Sequence, residues 1–229
     1  MEERINIFDV EIDCLTAKEA MINALQFLES DSIDTIGLMT MAVLMGGQED
    51  QKWKEQVEDL KMVLPGEIEI LEAARISDRN LLREAEGRVF LKMFMKYLQK
   101  NRRKVFLLAG SDEEMQRVKE AIGWYNHGIQ IAGSATVSPQ DETVEDVIND
   151  INGTETDCIL SVLPSPYQEQ FICENKALLN ARVWLGCGSA LWDSYNERHP
   201  LKRLKRFFMK KLFRYQVGRQ QEEESSGSQ

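Results

Sequence analysis

The chain has 229 residues, 43% of them apolar, and a formal net charge of −10. That length supports one substantial domain with a buried core. No run reaches the roughly 18 apolar residues of a membrane-spanning helix, Met1-Glu2-Glu3-Arg4 does not open a secretory signal, and the four cysteines and two histidines (His127, His199) form no CxxC pair, metal cluster or histidine-driven triad, which favours a reduced, cytoplasmic protein.

The opening, Ile5 to Ile12, alternates in polarity and reads as a strand or half a hairpin. Ala17–Glu29 follows with Ala20, Met21, Ala24, Leu25 and Leu28 on one helical side. Ile33–Met39 is the first apolar run with the look of a buried strand. Beyond it Trp53, Val57 and Leu60 share a helical face, and Met62-Val63-Leu64-Pro65-Gly66-Glu67 makes a short strand and a turn. Leu71, Ala74 and Arg75 restart a helix, and Gly87 interrupts the next one, which runs through Phe90, Phe94, Tyr97 and Leu98. Val105–Ala109 is a second buried run, and Ser111-Asp112-Glu113-Glu114 reads as a capping box for a helix ending near Ile122. Ile129–Ala132, Asp157–Leu163 and Arg182–Gly186 are further strands. Val144, Val147, Ile148 and Ile151 mark a helix between the first two, and Pro166 to Leu179 holds another before the last. Strands alternating with crossover helices predict an α/β fold with a mostly parallel, Rossmann-like sheet covered by helices on both faces.

The C-terminal part departs from this pattern. From Arg198 to Gln220 there are nine Lys or Arg and no acid, whereas residues 1–197 hold 19 basic and 35 acidic side chains. Leu201, Leu204, Phe208, Leu212 and Tyr215 share one helical stripe, and Arg203, Arg206, Lys210 and Arg214 another. Such a basic amphipathic helix suits an anionic membrane surface, each cation adding roughly 1 kcal/mol; the plainer alternative is a core-packed helix with solvated cations. The organisation is therefore an α/β domain over 1–197, a basic appendage over 198–219 and a polar tail over 220–229 whose composition predicts disorder. The acidic body argues against nucleic acid as a partner.

The most informative local stretch is Val162 to Gln170, where an apolar run enters Ser165-Pro166 and then a helical segment. Proline is favoured at the first helical position, and the turn brings Gln168 and Glu169 to a strand end, where open α/β sheets bind ligands. Gln168 reads as a ligand contact or a cap, and Gly110 and Gly186 as close-approach glycines or plain turns; neither belongs to a GxGxxG fingerprint. Thr40 reads as a ligand contact or a helix cap, Glu67 as a base or an exposed turn carboxylate, and Arg83 and Arg88 as diphosphate ligands or solvated helix arginines. No cofactor motif stands out.

These features together resemble the WecB/TagA/CpsF family of bacterial glycosyltransferases, from about Ile5 to Pro200. Phe8-Asp9-Val10-Glu11-Ile12-Asp13-Cys14-Leu15-Thr16 is similar to the family's opening, and Met62-Val63-Leu64-Pro65 to the strand entering its active-site turn. Val105 to Gly110 resembles its central strand and glycine turn, and Ser165-Pro166-Tyr167-Gln168-Glu169 its Ser-Pro-x-Gln-Glu corner. Gly186-Cys187-Gly188-Ser189 and Arg198-His199-Pro200 resemble two later turns. The resemblance implies transfer of an N-acetylmannosamine-type sugar from a UDP-sugar to a polyprenyl-diphosphate-linked acceptor at the cytoplasmic membrane face, with self-association. It implies a carboxylate base for the acceptor hydroxyl and cations for the leaving diphosphate. It assigns binding roles to Thr40, Gly110, Gln168, Glu169 and Gly186, and membrane or diphosphate contact to Arg198, Arg203, Arg206, Lys210 and Arg214.

The chain departs from the family where chemistry is expected. The family's Asp-Gly, which carries the proposed base, stands here as Gly66-Glu67. Glu67 is thus the candidate base, displaced by one residue; such a shift moves a side chain about 3.3 Å and turns it to the other face. The family's Asn after the second strand is Thr40, its Gly-x-Asp is Gly87-Arg88-Val89, and its Gly-Tyr-Phe turn is Ala135-Thr136-Val137. The aspartate after its last glycine turn falls at Trp192, beside Asp193. A divergent enzyme and a homologue that has lost catalysis but binds as a scaffold are both compatible with this pattern.

Overall fold

A computed structural model describes residues 4–125, 128–141, 143–191 and 200–227, with side chains at 124–125, 200–205 and 223–227 excepted. The elements in chain order are β1 (Arg4–Ile7), β2 (Val10–Asp13), α1 (Ala17–Leu28), β3 (Asp34–Met39), α2 (Met41–Gly47), α3 (Gln51–Glu58) and β4 (Met62–Pro65). Then come α4 (Ile68–Ala73), α5 (Arg79–Glu86), α6 (Val89–Lys100), β5 (Lys104–Ala109), α7 (Asp112–Tyr125) and β6 (Gln130–Thr136). The last are α8 (Glu145–Gly153), β7 (Cys158–Ser161), α9 (Tyr167–Asn175), β8 (Val183–Gly186) and α10 (Pro200–Gly227), with short 3-10 turns at Lys176–Leu178 and Gly188–Leu191.

Six strands pair in the order β4-β3-β8-β7-β5-β6, all parallel. This is the α/β sheet that the alternating runs predict. Successive strand residues point to opposite faces, so β3, β4, β5, β7 and β8 each feed two cores, while the edge strand β6 has no buried residue. Leu38, Leu107, Leu160 and Leu185 pack with α1, α6 and α7 on one face. Phe106, Leu108, Ile159 and Trp184 pack with α8 and α9 on the other. Phe171 stacks on Trp184 with ring centroids 5.7 Å apart. Each such fully buried side chain contributes about 1.5–3 kcal/mol.

The opening forms both halves of a hairpin. Phe8 and Asp9 turn the chain with φ of 56° and 63°, the left-handed pair that matches strand twist. β2 then covers the β4 edge: Asp13 accepts from the Val63 N–H at 2.8 Å and from Arg4 Nε at 2.8 Å. A third core forms there from the hairpin, α2, α3 and α4, and Phe213 and Val217 of α10 complete it. Phe8 meets Phe213 edge-on at 5.8 Å. Gln220 accepts from the Phe8 N–H at 2.8 Å. α10 runs on to Gly227, through the acidic stretch whose composition predicts a disordered tail.

Right-handed crossovers place α7 and α9 on opposite faces. The β5→β6 connection moves one way along the sheet and β7→β8 the other, so the topological switch point lies between β5 and β7. In open sheets of this kind the crevice at the strand C-termini is the usual ligand site.

Candidate functional site

At the switch point the glycine turn is filled by the protein itself. Gly110 N–H donates to Glu114 Oε2 at 3.0 Å. A Cβ on Gly110 would lie 2.9 Å from that oxygen and 3.0 Å from Pro164. Ser111 caps the helix as expected, accepting from the Glu114 N–H at 3.3 Å. The Glu114 carboxylate reaches back one residue further than a capping box requires, to Gly110. It thereby occupies the backbone donor that would face a phosphate.

The ends of β3, β4 and β8 draw the other candidates together. Thr40 is the N-cap of α2 and accepts from the Val43 N–H at 3.3 Å. Glu67, buried rather than exposed, accepts from the neighbouring Met41 N–H at 2.9 Å. Gly66 N–H donates to the Met39 carbonyl at 2.7 Å, and a Cβ at Gly66 would lie 2.7 Å from that oxygen. The two strand ends therefore close into one turn that only glycine fits.

The Ser165–Glu169 corner forms a buried polar network. The Ser165–Pro166 peptide is cis, and Pro166 is the N-cap of a helix that starts at Tyr167, one residue later than the spacing predicts. Glu169 is 2% exposed. Its Oε2 accepts from Ser165 Oγ at 2.7 Å and from Trp53 Nε1 at 3.2 Å, and its Oε1 from Gln168 Nε2 at 3.2 Å. Gln168 Oε1 takes the Gly188 N–H at 3.3 Å. Gly186 makes room for this amide, since a Cβ there would lie 3.0 Å from Gln168 Nε2. Both ends of the Gln168 amide are thus engaged inside the protein, and they hold the turn after β8.

Beside this rim lies a cavity of about 60 Å³ between α1, the ends of β3 and β4, and the α5–α6 junction. Its walls are mostly apolar, with Leu15, Leu38, Leu64, Leu81, Phe90 and Ala190 among them. Glu84 and Arg88 are its charged groups. Glu84 is held by the Ala17 N–H at 2.7 Å and by Asn80 Nδ2 at 3.2 Å. Arg88 takes a left-handed backbone (φ 49°) after Gly87 and donates to the Ala190 carbonyl. Gly66 borders the cavity; the Glu67 carboxylate is turned toward α2.

On α10 the basic column faces inward. Arg206 meets Glu69 at 3.2 Å, Lys210 meets Glu72 at 2.8 Å and Glu69 at 3.7 Å, and Arg214 meets Glu72 at 2.7 Å. Both acids belong to α4, the helix that Glu67 begins. Outward go Phe207, Phe208, Leu212 and Tyr215, all exposed, with Lys211 over the Phe207 ring at 4.8 Å. Arg198 and the side chain of Arg203 lie outside the described residues, as do His127, His199, Trp192 and Asp193. Among the described residues no helix is long and apolar enough to cross a membrane, and no group of three or more His, Cys, Asp or Glu could hold a metal ion.

Sequence reasoning did not single out Trp53 as the partner of Glu169, Glu84 as the anchor of α1, or Ala190 as the acceptor for Arg88. Each pairing spans more than sixty residues of chain, so no local spacing signals it. Glu69 and Glu72 carried a usable signal: two acids three residues apart complement a cationic column of helical spacing.

No curated protein matches the chain. Residues 5–193 match the glycosyl transferase WecG/TagA/CpsF family. With that match covering most of the sequence, and a parallel α/β sheet bearing the Ser-Pro-Tyr-Gln-Glu corner at its strand ends, the chain belongs to the WecG/TagA/CpsF family of glycosyl transferases.

Proposed function

We propose that this protein transfers an N-acetylhexosamine-type sugar from a UDP-sugar to a polyprenyl-diphosphate-linked acceptor, on the inner face of a bacterial membrane, in the synthesis of cell-surface polysaccharide or teichoic acid. The observation that carries the reading is the family match over residues 5–193. The gathering of Thr40, Gly66, Glu67, Arg88, Gln168 and Gly186 along one rim of the sheet supports it. In this reading Glu67 removes the proton from the acceptor hydroxyl, Arg88 stabilises charge on the leaving diphosphate, and Gln168 acts on the donor through the Gly188 turn. The outward aromatic face of α10 rests in the lipid interface. The test is nucleotide release from UDP-N-acetylmannosamine in the presence of a lipid-diphosphate acceptor. Glu67→Gln is expected to lower turnover by about 10²-fold or more; equal turnover in variant and wild type removes Glu67 as the base.

One observation favours a second reading, a catalytically silent binding or scaffold protein on the same membrane. The Asp-Gly of the family is absent, and the Glu67 carboxylate is directed to the start of α2 instead of the cavity. This reading predicts uptake of the UDP-sugar by calorimetry without any nucleotide release.

A further inference from the structure

Ala190 touches both halves of the rim. Its carbonyl receives the Arg88 guanidinium, and its Cβ lies 3.4 Å from where a Cβ on Gly66 would stand, beside the turn that carries Glu67. Arg88 is the N-cap of α6 with a left-handed backbone, a strained state that persists only where the surroundings hold it. Ala190 belongs to the 3-10 turn Gly188–Leu191, which its N–H closes onto the Cys187 carbonyl at 2.9 Å. Two residues separate Gly188 from Ala190 at most, so whatever fixes Gly188 also aims the Ala190 carbonyl. Gly188 itself turns with φ of 47°, and its N–H is taken by Gln168 Oε1 at 3.3 Å.

The direction of the Gln168 amide is not free. Its Nε2 donates to Glu169 Oε1 at 3.2 Å. A flipped amide would set oxygen against carboxylate and N–H against N–H. Glu169 accepts only, and the Trp53 indole donates only. Trp53 Nε1 and Ser165 Oγ both bond Glu169 Oε2, which leaves Oε1 for Gln168. The donor–acceptor sense therefore runs one way, from α3 through the start of α9 to the turn after β8 and on to Arg88. It passes round the strand end from the α9 face of the sheet to the α6 face.

We infer that Trp53 is a positioning residue for Arg88: the indole fixes Glu169, Glu169 fixes the Gln168 amide, and the amide holds the turn whose Ala190 carbonyl receives the guanidinium. This deepens the transferase reading, on which it rests only for the task given to Arg88, charge on the leaving diphosphate. Gln168 then serves the site by holding backbone, with both ends of its amide engaged inside the protein.

Nitrogen NMR on the arginine-labelled full chain tests it, through the rate of rotation about the Arg88 Nε–Cζ bond; the signal is assigned by its loss in Arg88→Lys. Trp53→Phe keeps an aromatic ring and deletes the N–H. Gln168→Met keeps the length of the side chain and deletes both amide bonds. Each is expected to speed the rotation about fivefold, the worth of one hydrogen bond. Ile151→Val, in the α8 core away from this chain of bonds, is expected to lower the thermal transition and leave the Arg88 signal unchanged. An Arg88 signal unmoved by both Trp53→Phe and Gln168→Met overturns the assignment, and so does equal acceleration in Ile151→Val. In turnover of the UDP-sugar, Trp53→Phe is expected to lower kcat about fivefold with KM nearly constant, and to have no further effect in Arg88→Lys; additive losses overturn the assignment as well. The NMR measurement needs neither nucleotide nor sugar. A responsive Arg88 signal without any turnover therefore sinks the transferase reading alone.

Discussion

The Trp53 indole N–H donates to the carboxylate of Glu169 at 3.2 Å, across 116 residues of sequence. Trp53 lies on α3 and Glu169 in the first turn of α9, so the bond locks the β3–β4 crossover to the β7–β8 crossover on the same face of the sheet. Glu169 has no described cation beside it and is satisfied by three neutral donors instead.

Removing a donor from this network leaves a buried acceptor short of a partner. Trp53→Phe is expected to cost about 1–3 kcal/mol. Glu169→Ala strands the indole, the Ser165 hydroxyl and the Gln168 amide together, and is expected to cost more, about 2–4 kcal/mol. Urea unfolding measures both. The double variant is expected to lose less than the two single losses added, because the residues share one interaction.

Two adjacent glycines at the end of α2 carry opposite expectations. A Cβ on Gly47 would sit 2.1 Å from the buried Trp53 ring, a rigid neighbour that cannot swing away. Gly47→Ala is therefore expected to destabilise by about 3 kcal/mol or more, or to prevent folding. Nothing lies within 4 Å of a Cβ on Gly46, where Gly→Ala reduces backbone freedom in the unfolded chain. Gly46→Ala is expected to stabilise by about 0.5–1 kcal/mol. Thermal denaturation of the pair decides both signs.

The Lys210 ammonium, bonded to Glu72, holds that carboxyl below its ordinary value of 4.5, against the opposing effect of burial and with Arg214 adding to the same side. A carboxyl depressed in the folded state contributes stability that is present above the unfolded value and is lost as pH falls through the folded one. Docking of α10 on α4 is thus expected to be complete at neutral pH and to loosen below about pH 4.5. Hydrogen exchange along residues 206–217 reports this, and Glu72→Gln is expected to abolish the acid-dependent part.

Burial, with the nearby Asp59 carboxylate acting in the same direction, pushes the Cys173 thiol up to about 11. Cys14, Cys158 and Cys187 are buried. Thiolate is the reactive form, so the native chain is expected to react slowly with a disulfide reagent at pH 8. All four thiols are expected to react at once in denaturant. A fast native phase would contradict the placement of Cys173 against the Gln56 carbonyl.

The sheet was legible because its inner strands feed two cores and so appear as unbroken apolar runs; Val105–Ala109 and Cys158–Ser161 are the clearest cases. The region from Met41 to Arg88 was not, since its helices are short and their apolar faces are shared with a hairpin and a C-terminal helix far away in sequence. The inward orientation of Arg206, Lys210 and Arg214 depends on Glu69 and Glu72, and no periodicity within α10 can reveal a partner on another helix. The corner at Ser165–Glu169 was recognisable, but spacing says only that two polar side chains begin a helix. That they turn inward follows from the indole of Trp53 on one side and the bare backbone of Gly186 on the other.

Phe8, in the turn of the β1–β2 hairpin, is closed over by Phe213 and bonded to Gln220, both of α10. A ribosome releases these partners about two hundred residues after Phe8. The β1–β2 hairpin therefore waits, with its aromatic side chain uncovered, until α10 has been made, so this corner matures after the sheet's strands have been synthesised rather than as the first step of assembly.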